Sequence, residues 1–107
     1  METIKVAGSS RTAAVAGAIA GVVRDHHRAV VQAIGAGAVN QALKALIVAT
    51  GYLKSDGIFV SFVAEFADVS IENNVRTAIR FLVEPSASSD FSAIRFPSRS
   101  VSVDAPL

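Results

Sequence analysis

The 107-residue chain contains no cysteine, which excludes a disulfide framework, a thiol nucleophile and any zinc site built on thiolates. It also has almost no excess of charge: 10 Lys and Arg face 9 Asp and Glu, for a formal charge of +1 and a pI near 8.2. Dedicated nucleic-acid binders usually carry a strong basic excess, often with a domain pI above about 9, and that excess is missing here. Long apolar runs are missing too. The longest is eleven residues, Ala13 to Val23, against the roughly 17 to 25 needed to cross a bilayer, so no transmembrane helix is expected. The strand-like opening hexapeptide carries Glu2 and, as its only cation, Lys5, where a secretory signal would carry a positive leader. The start reads as that of a mature cytoplasmic protein.

Catalytic patterns are equally scarce. There is no G-x-S-x-G elbow, and nothing assigns a histidine and a carboxylate to one serine. Glu65 and Asp68 are three apart on a β-prone run, so pleating sends them to opposite faces and argues against a carboxylate pair. His26-His27 lies just past a helical segment with no third ligand at a recognisable spacing, which favours a solvated or structural role over metal binding. Gly35-Ala36-Gly37-Ala38 lacks the third glycine of a dinucleotide fingerprint and the Gly-Lys-Ser/Thr of a P-loop. It reads either as a tight strand-to-helix turn or as a set of free backbone N–H groups able to hold a phosphate. No aromatic pair is placed for base stacking on a strand face, which disfavours sequence-specific RNA readout. The sequence implies no cofactor, no metal and no enzyme.

What is present is a foldable domain: 51% of residues are hydrophobic and only 18% charged, too apolar for disorder and of a length for one domain. Thr3 to Ala7 reads as a strand closed by Gly8, Ser9 and Ser10, with Ser9 or Ser10 available to cap the next helix. Arg11 to about His26 has helical apolar spacing. Within it Gly17 and Gly21 each cost about 1 kcal/mol of propensity relative to Ala, so a close backbone neighbour is expected there. Ala29 to Ile34 reads as a second strand, and from Ala38 to Gly51 or slightly beyond as a second helix. On it Asn40 and Lys44 share a face, either solvated or facing a dimer partner. Ile58 to Phe66 reads as a third strand, continued by Val69 and Ile71 with a phase change that predicts a bulge or break near Asp68. Glu72-Asn73-Asn74 has turn chemistry, Thr77 to Val83 alternates with Ile79, Phe81 and Val83 on one face, and Pro85 ends the strand.

The order β-α-β-α-β-β predicts one two-layer α/β domain, a mixed four-stranded sheet with two helices on one face. The domain is expected over residues 1–86. Residues 87–107, rich in serine, read as a mobile tail, with an added edge strand or a phosphorylated interaction segment as alternatives.

The segment VQAIGAGAVNQALKALIVATGYL, preceded by AAVAGAIAGVVR and followed by VRTAIRFLVEP, resembles the bacterial stage V sporulation protein S family over about residues 3 to 86. The resemblance implies an Alba-like fold, association as dimers or larger assemblies, a role in sporulation or developmental regulation, and nucleic-acid binding by analogy with Alba-type proteins. Those proteins bring basic side chains to the turns after strand one and strand two. The matching positions here are Ser9, Ser10, Ala33, Gly35 and Gly37. The resemblance therefore points to Lys5, Arg11, Lys44 and Arg76, with backbone N–H groups at Gly35 and Gly37, as the contacts to a DNA or RNA backbone. If about four phosphates are neutralised, affinity should fall about a hundredfold between 50 and 200 mM salt. The alternative is a self-associating assembly protein with protein partners and no nucleic acid.

Overall fold

The computed structural model describes residues 2–86; the reading of 87–107 as a tail lies outside the described residues. The order is β1 Thr3–Val6, α1 Thr12–His26, β2 Ala29–Ala33, α2 Ala36–Ser55, β3 Val60–Ile71 and β4 Asn74–Pro85. The four strands form one sheet in the order β1-β2-β4-β3. β1 and β2 are parallel, as a helical crossover between them requires, while β4 is antiparallel to both β2 and β3.

Both helices cover the same sheet face. Val15, Ala16, Ile19, Ala20 and Val23 of α1 and Ala42, Ala45, Leu46, Ala49 and Leu53 of α2 are buried against Val6, Ala29, Val31, Ala33, Phe81 and Val83. The register explains why these strand residues belong together: Val6 stands beside Ala33, Val31 beside Phe81 and Ala29 beside Val83, and period-two pleating carries each row across the sheet. Alanine dominates where the helices meet, so little side-chain bulk holds them apart. No polar or charged residue is buried among the described residues.

Helix ends follow local chemistry. α2 closes in a Schellman arrangement, with Gly57 at φ 75 and the N–H groups of Gly57 and Ile58 donating to the carbonyls of Lys54 and Leu53. α1 closes on His27, left-handed at φ 60, whose N–H donates to the Val23 carbonyl at 2.8 Å. The histidine pair thus serves a helix end. α2 extends past Gly51 to Ser55 because Leu53 still has core to reach.

Three expectations need correction. Neither Ser9 nor Ser10 caps α1: Arg11 holds the N-cap position without a side-chain hydrogen bond, and the Ser10 hydroxyl accepts from the Ala7 N–H at 2.9 Å, closing the preceding turn instead. Gly17 and Gly21 have no backbone neighbour, since a Cβ on either would meet nothing within 4 Å, and nothing in the structure explains them. There is no bulge near Asp68. β3 and β4 pair without interruption from Val60 with Pro85 to Ile71 with Asn74. The change of phase has another cause: up to Phe66 the aromatic residues of β3 face the helices, whereas beyond it the paired Ala67 and Ala78 are buried on the opposite face, so the buried side changes while the pairing does not. The hairpin tip is a two-residue turn with Glu72 at φ 49 and Asn73 at φ 67, both left-handed as a type I′ hairpin demands.

Candidate nucleic-acid interface

Parallel β1 and β2 end at the same edge of the domain, so the turns that follow them must be neighbours. Gly8 and Gly37 meet there: a Cβ on Gly8 would lie 3.7 Å from the Gly37 carbonyl carbon. Gln41, one turn into α2, pins the two turns together. Its side-chain amide donates to the Ser10 carbonyl at 2.7 Å and to the Thr12 hydroxyl at 2.9 Å. Gly35 is the N-cap of α2 at φ 92 and ψ 156, a conformation open essentially to glycine alone. The first-turn N–H groups of α2 and the exposed Arg11 therefore share one end of the molecule.

The hairpin tip lies at that same end. Lys5, Ala7 and Gly8 line a groove of about 420 Å³ opposite Val69, Ser70 and Ile71, with Gln32 and Ile34 between them. Lys5 points to the helix-free sheet face, and so does Arg76, which pairs with Val69. Five of the six residues singled out from the sequence thus gather around this end: Lys5, Arg11, Gly35, Gly37 and Arg76. Lys44 does not join them closely. It sits two turns into α2 on the exposed side, next to Asn40.

Two arginines escaped the sequence reading. Arg28, just before β2, and Arg80 in the middle of β4 line one shallow groove of about 280 Å³ on the helix-free face, with Val30, Leu82, Val63 and Glu65. Arg80 belongs to a polar row that crosses the whole sheet, Lys5, Gln32, Arg80 and Glu65. Its Nε stands 3.7 Å from a Glu65 carboxylate oxygen, too far for a hydrogen bond, and is shielded from water without a partner. An unmet buried donor of this kind costs about 1 to 3 kcal/mol. Only the register reveals that these two arginines share a face, because they are far apart in sequence.

A third surface is apolar. Along the outer flank of α2 and the helix-side face of β3, Leu43, Ile47, Phe62 and Phe66 are exposed, Ile47 at 71% and Phe66 at 78%. A groove of about 440 Å³ runs between Leu43 and Phe66, with Val39, Asn40 and Ile79 in its walls. Phe62 is held edge-on to Phe81, ring centroids 5.6 Å apart. Among the described residues no group of three or more His, Cys, Asp or Glu could hold a metal ion, and no helix is long and apolar enough to cross a membrane.

The fold is similar to that of Alba from Thermoplasma volcanium, with a TM-score of 0.54 and 11% sequence identity over 78% of this chain and 99% of that one. At that identity the likeness concerns architecture alone, and it agrees with the β-α-β-α-β-β order and the mixed four-stranded sheet. The family described as Stage V sporulation protein S matches residues 2–86, all of the described domain, and the chain belongs to that family.

Proposed function

We propose that the protein is a non-enzymatic regulatory protein that binds DNA or RNA without sequence specificity and acts in the cytoplasm as a homo-oligomer. The observation that carries this reading is the junction of the two turns, Gly8 against Gly37 under the Gln41 clamp. At this end the first-turn N–H groups of α2 stand with Arg11, Lys5 of β1 faces the hairpin tip across a groove, and Arg76 lies on the hairpin itself. Backbone donors and a few cations suit phosphate contacts and carry no base readout. With few cations, binding is weak and salt-sensitive. The domain 1–86 carries the function, and Lys44 contributes at the periphery of the same surface.

The apolar patch of Leu43, Ile47, Phe62 and Phe66 supports the oligomer, since a second copy laid across it would remove these side chains from water. The same patch supports the second reading, an assembly protein whose partners are proteins. Fluorescence anisotropy of labelled single-stranded and duplex oligonucleotides at about 50 and 200 mM salt, with light scattering on the same samples, decides between them. Binding that weakens about a hundredfold across that range supports the first reading. In it Arg11→Glu lowers affinity and flattens the salt slope by about one phosphate contact; an unchanged slope removes Arg11 from the interface. Oligomers without binding at the lower salt support the second. Under either reading Phe66→Ser shifts the protein toward monomer with its fold intact, and a strictly monomeric wild type across micromolar concentrations overturns the oligomer.

A further inference from the structure

No helix lies on the second face of the sheet, yet its side chains are not those of a plain solvated surface. Read along β4, the positions that face this side are Arg76, Ala78, Arg80, Leu82 and Glu84. Cation and apolar side chain alternate from Arg76 to Leu82, with Ala78 buried between the two arginines, and the series ends on the carboxylate of Glu84. At the β2 end the series meets Arg28, which shares its groove with Arg80. Arg76 and Arg80 are four strand residues apart, about 13 Å at the usual rise. Beside this line lies an apolar row, Val30, Leu82 and Val63, in which Val63 is 68% exposed. Arg28 and Arg76 make no ion pair among the described residues. Arg80 has only Glu65, at 3.7 Å, with its Nε unsatisfied.

We infer that this face binds an extended single strand of nucleic acid, with phosphates on Arg76, Arg80 and Arg28 and bases laid on the Val30, Leu82 and Val63 strip. The inference rests on the nucleic-acid reading above and deepens it by naming the strand state and the face. Charge complementarity selects a polyanion: Lys5, Arg28, Arg76 and Arg80 on this face outnumber Glu65 and Glu84. A phosphate oxygen draws the Arg80 guanidinium from its poor contact with Glu65 into a charge-assisted pair. The apolar strip then separates single strand from duplex. A single strand exposes base faces that bury against aliphatic side chains, whereas a duplex keeps its bases stacked inside and leaves the strip wet. An acidic peptide would use the arginines but has no regular apolar face for the strip.

The test uses the full chain and a labelled single strand of about a dozen nucleotides, the duplex of the same sequence, and polyglutamate of similar charge as competitor. The variants are Arg28→Ser/Arg80→Ser and, on the strip, Val63→Asp, an exposed site where the fold tolerates the change; melting curves confirm folding. The expected result is tighter binding of the single strand than of the duplex. The arginine pair then loses about tenfold or more on the single strand, with a salt slope lower by about two. Val63→Asp also weakens the single strand, and both variants leave the duplex unchanged. If the wild type binds oligonucleotide but both variants match it, or lose single strand and duplex alike, the inference falls while the proposed function stands. If the wild type binds neither oligonucleotide at the lower salt, both fall. Displacement of the single strand by polyglutamate at equal charge also overturns the inference, since the strip then plays no part.

Discussion

Gln41→Ala should loosen the end of the domain on which the proposed phosphate contacts depend. The Gln41 amide makes two hydrogen bonds across elements, 2.7 Å to the Ser10 carbonyl and 2.9 Å to the Thr12 hydroxyl, both part-buried. At about 0.5 to 1.5 kcal/mol each, their joint loss is worth about 2 kcal/mol. For a domain of this size each kcal/mol shifts Tm by about 4 to 8 °C, so the variant should melt about 8 to 16 °C lower. Gln41→Glu is the sharper variant. It keeps size and shape but replaces the donor amide by a carboxylate that faces the Ser10 carbonyl, and it should cost at least as much as the alanine. Thr12→Ala removes only one of the two bonds and should cost about half. Thermal melts followed by circular dichroism give the ranking, and amide exchange at residues 7 to 12 reports whether the turn opens. A Gln41→Glu variant that melts with the wild type would refute the clamp, because no donor would then be needed at that position.

The two turn glycines should behave differently. Gly35→Ala forces a Cβ onto φ 92 and ψ 156 and should cost about 1 to 3 kcal/mol in urea unfolding, while Gly8→Ala, whose Cβ would find ordinary contacts at 3.7 Å and beyond, should stay within about 0.5 kcal/mol. Equal losses at both positions would mean that crowding, and not backbone conformation, governs this junction. Arg24→Ala breaks the 2.7 Å pair between Arg24 and Asp56, but both side chains are nearly half exposed; the cost should stay below about 1 kcal/mol and shrink further in high salt.

Local chemistry was most legible where one face of an element is buried. The spacing of Val15, Ile19, Val22 and Val23 is that of α1, and the alternation of Ile79, Phe81 and Val83 is that of β4, because burial on one side imposes the period. The readings that failed lie where that constraint is absent. Past Phe66 no helix holds the hairpin to one buried face, and the buried pair Ala67 and Ala78 lies on the other side, so the pattern reads as a bulge in a strand that is in fact continuous. At Ser10 the hydroxyl had two acceptable partners, the start of α1 and the turn before it, and the turn won. Gly17 and Gly21 looked like signs of close packing, yet the close approach is at Gly8 and Gly37, where two chain segments meet.

The sequence by itself determined the element order, the two-layer class, the family and most of the charges and glycines at the turn end, because each follows from local periodicity, turn chemistry or a contiguous motif. Only the tertiary structure decided which charges share a surface. Strand order and register set Lys5, Gln32, Arg80 and Glu65 in one row and bring Arg28 beside Arg80, while Lys44 stays on the exposed side of α2 at the margin of the turn end. The physical reason is that a sheet makes neighbours of residues by hydrogen-bond register across strands, and no separation along the chain encodes that distance.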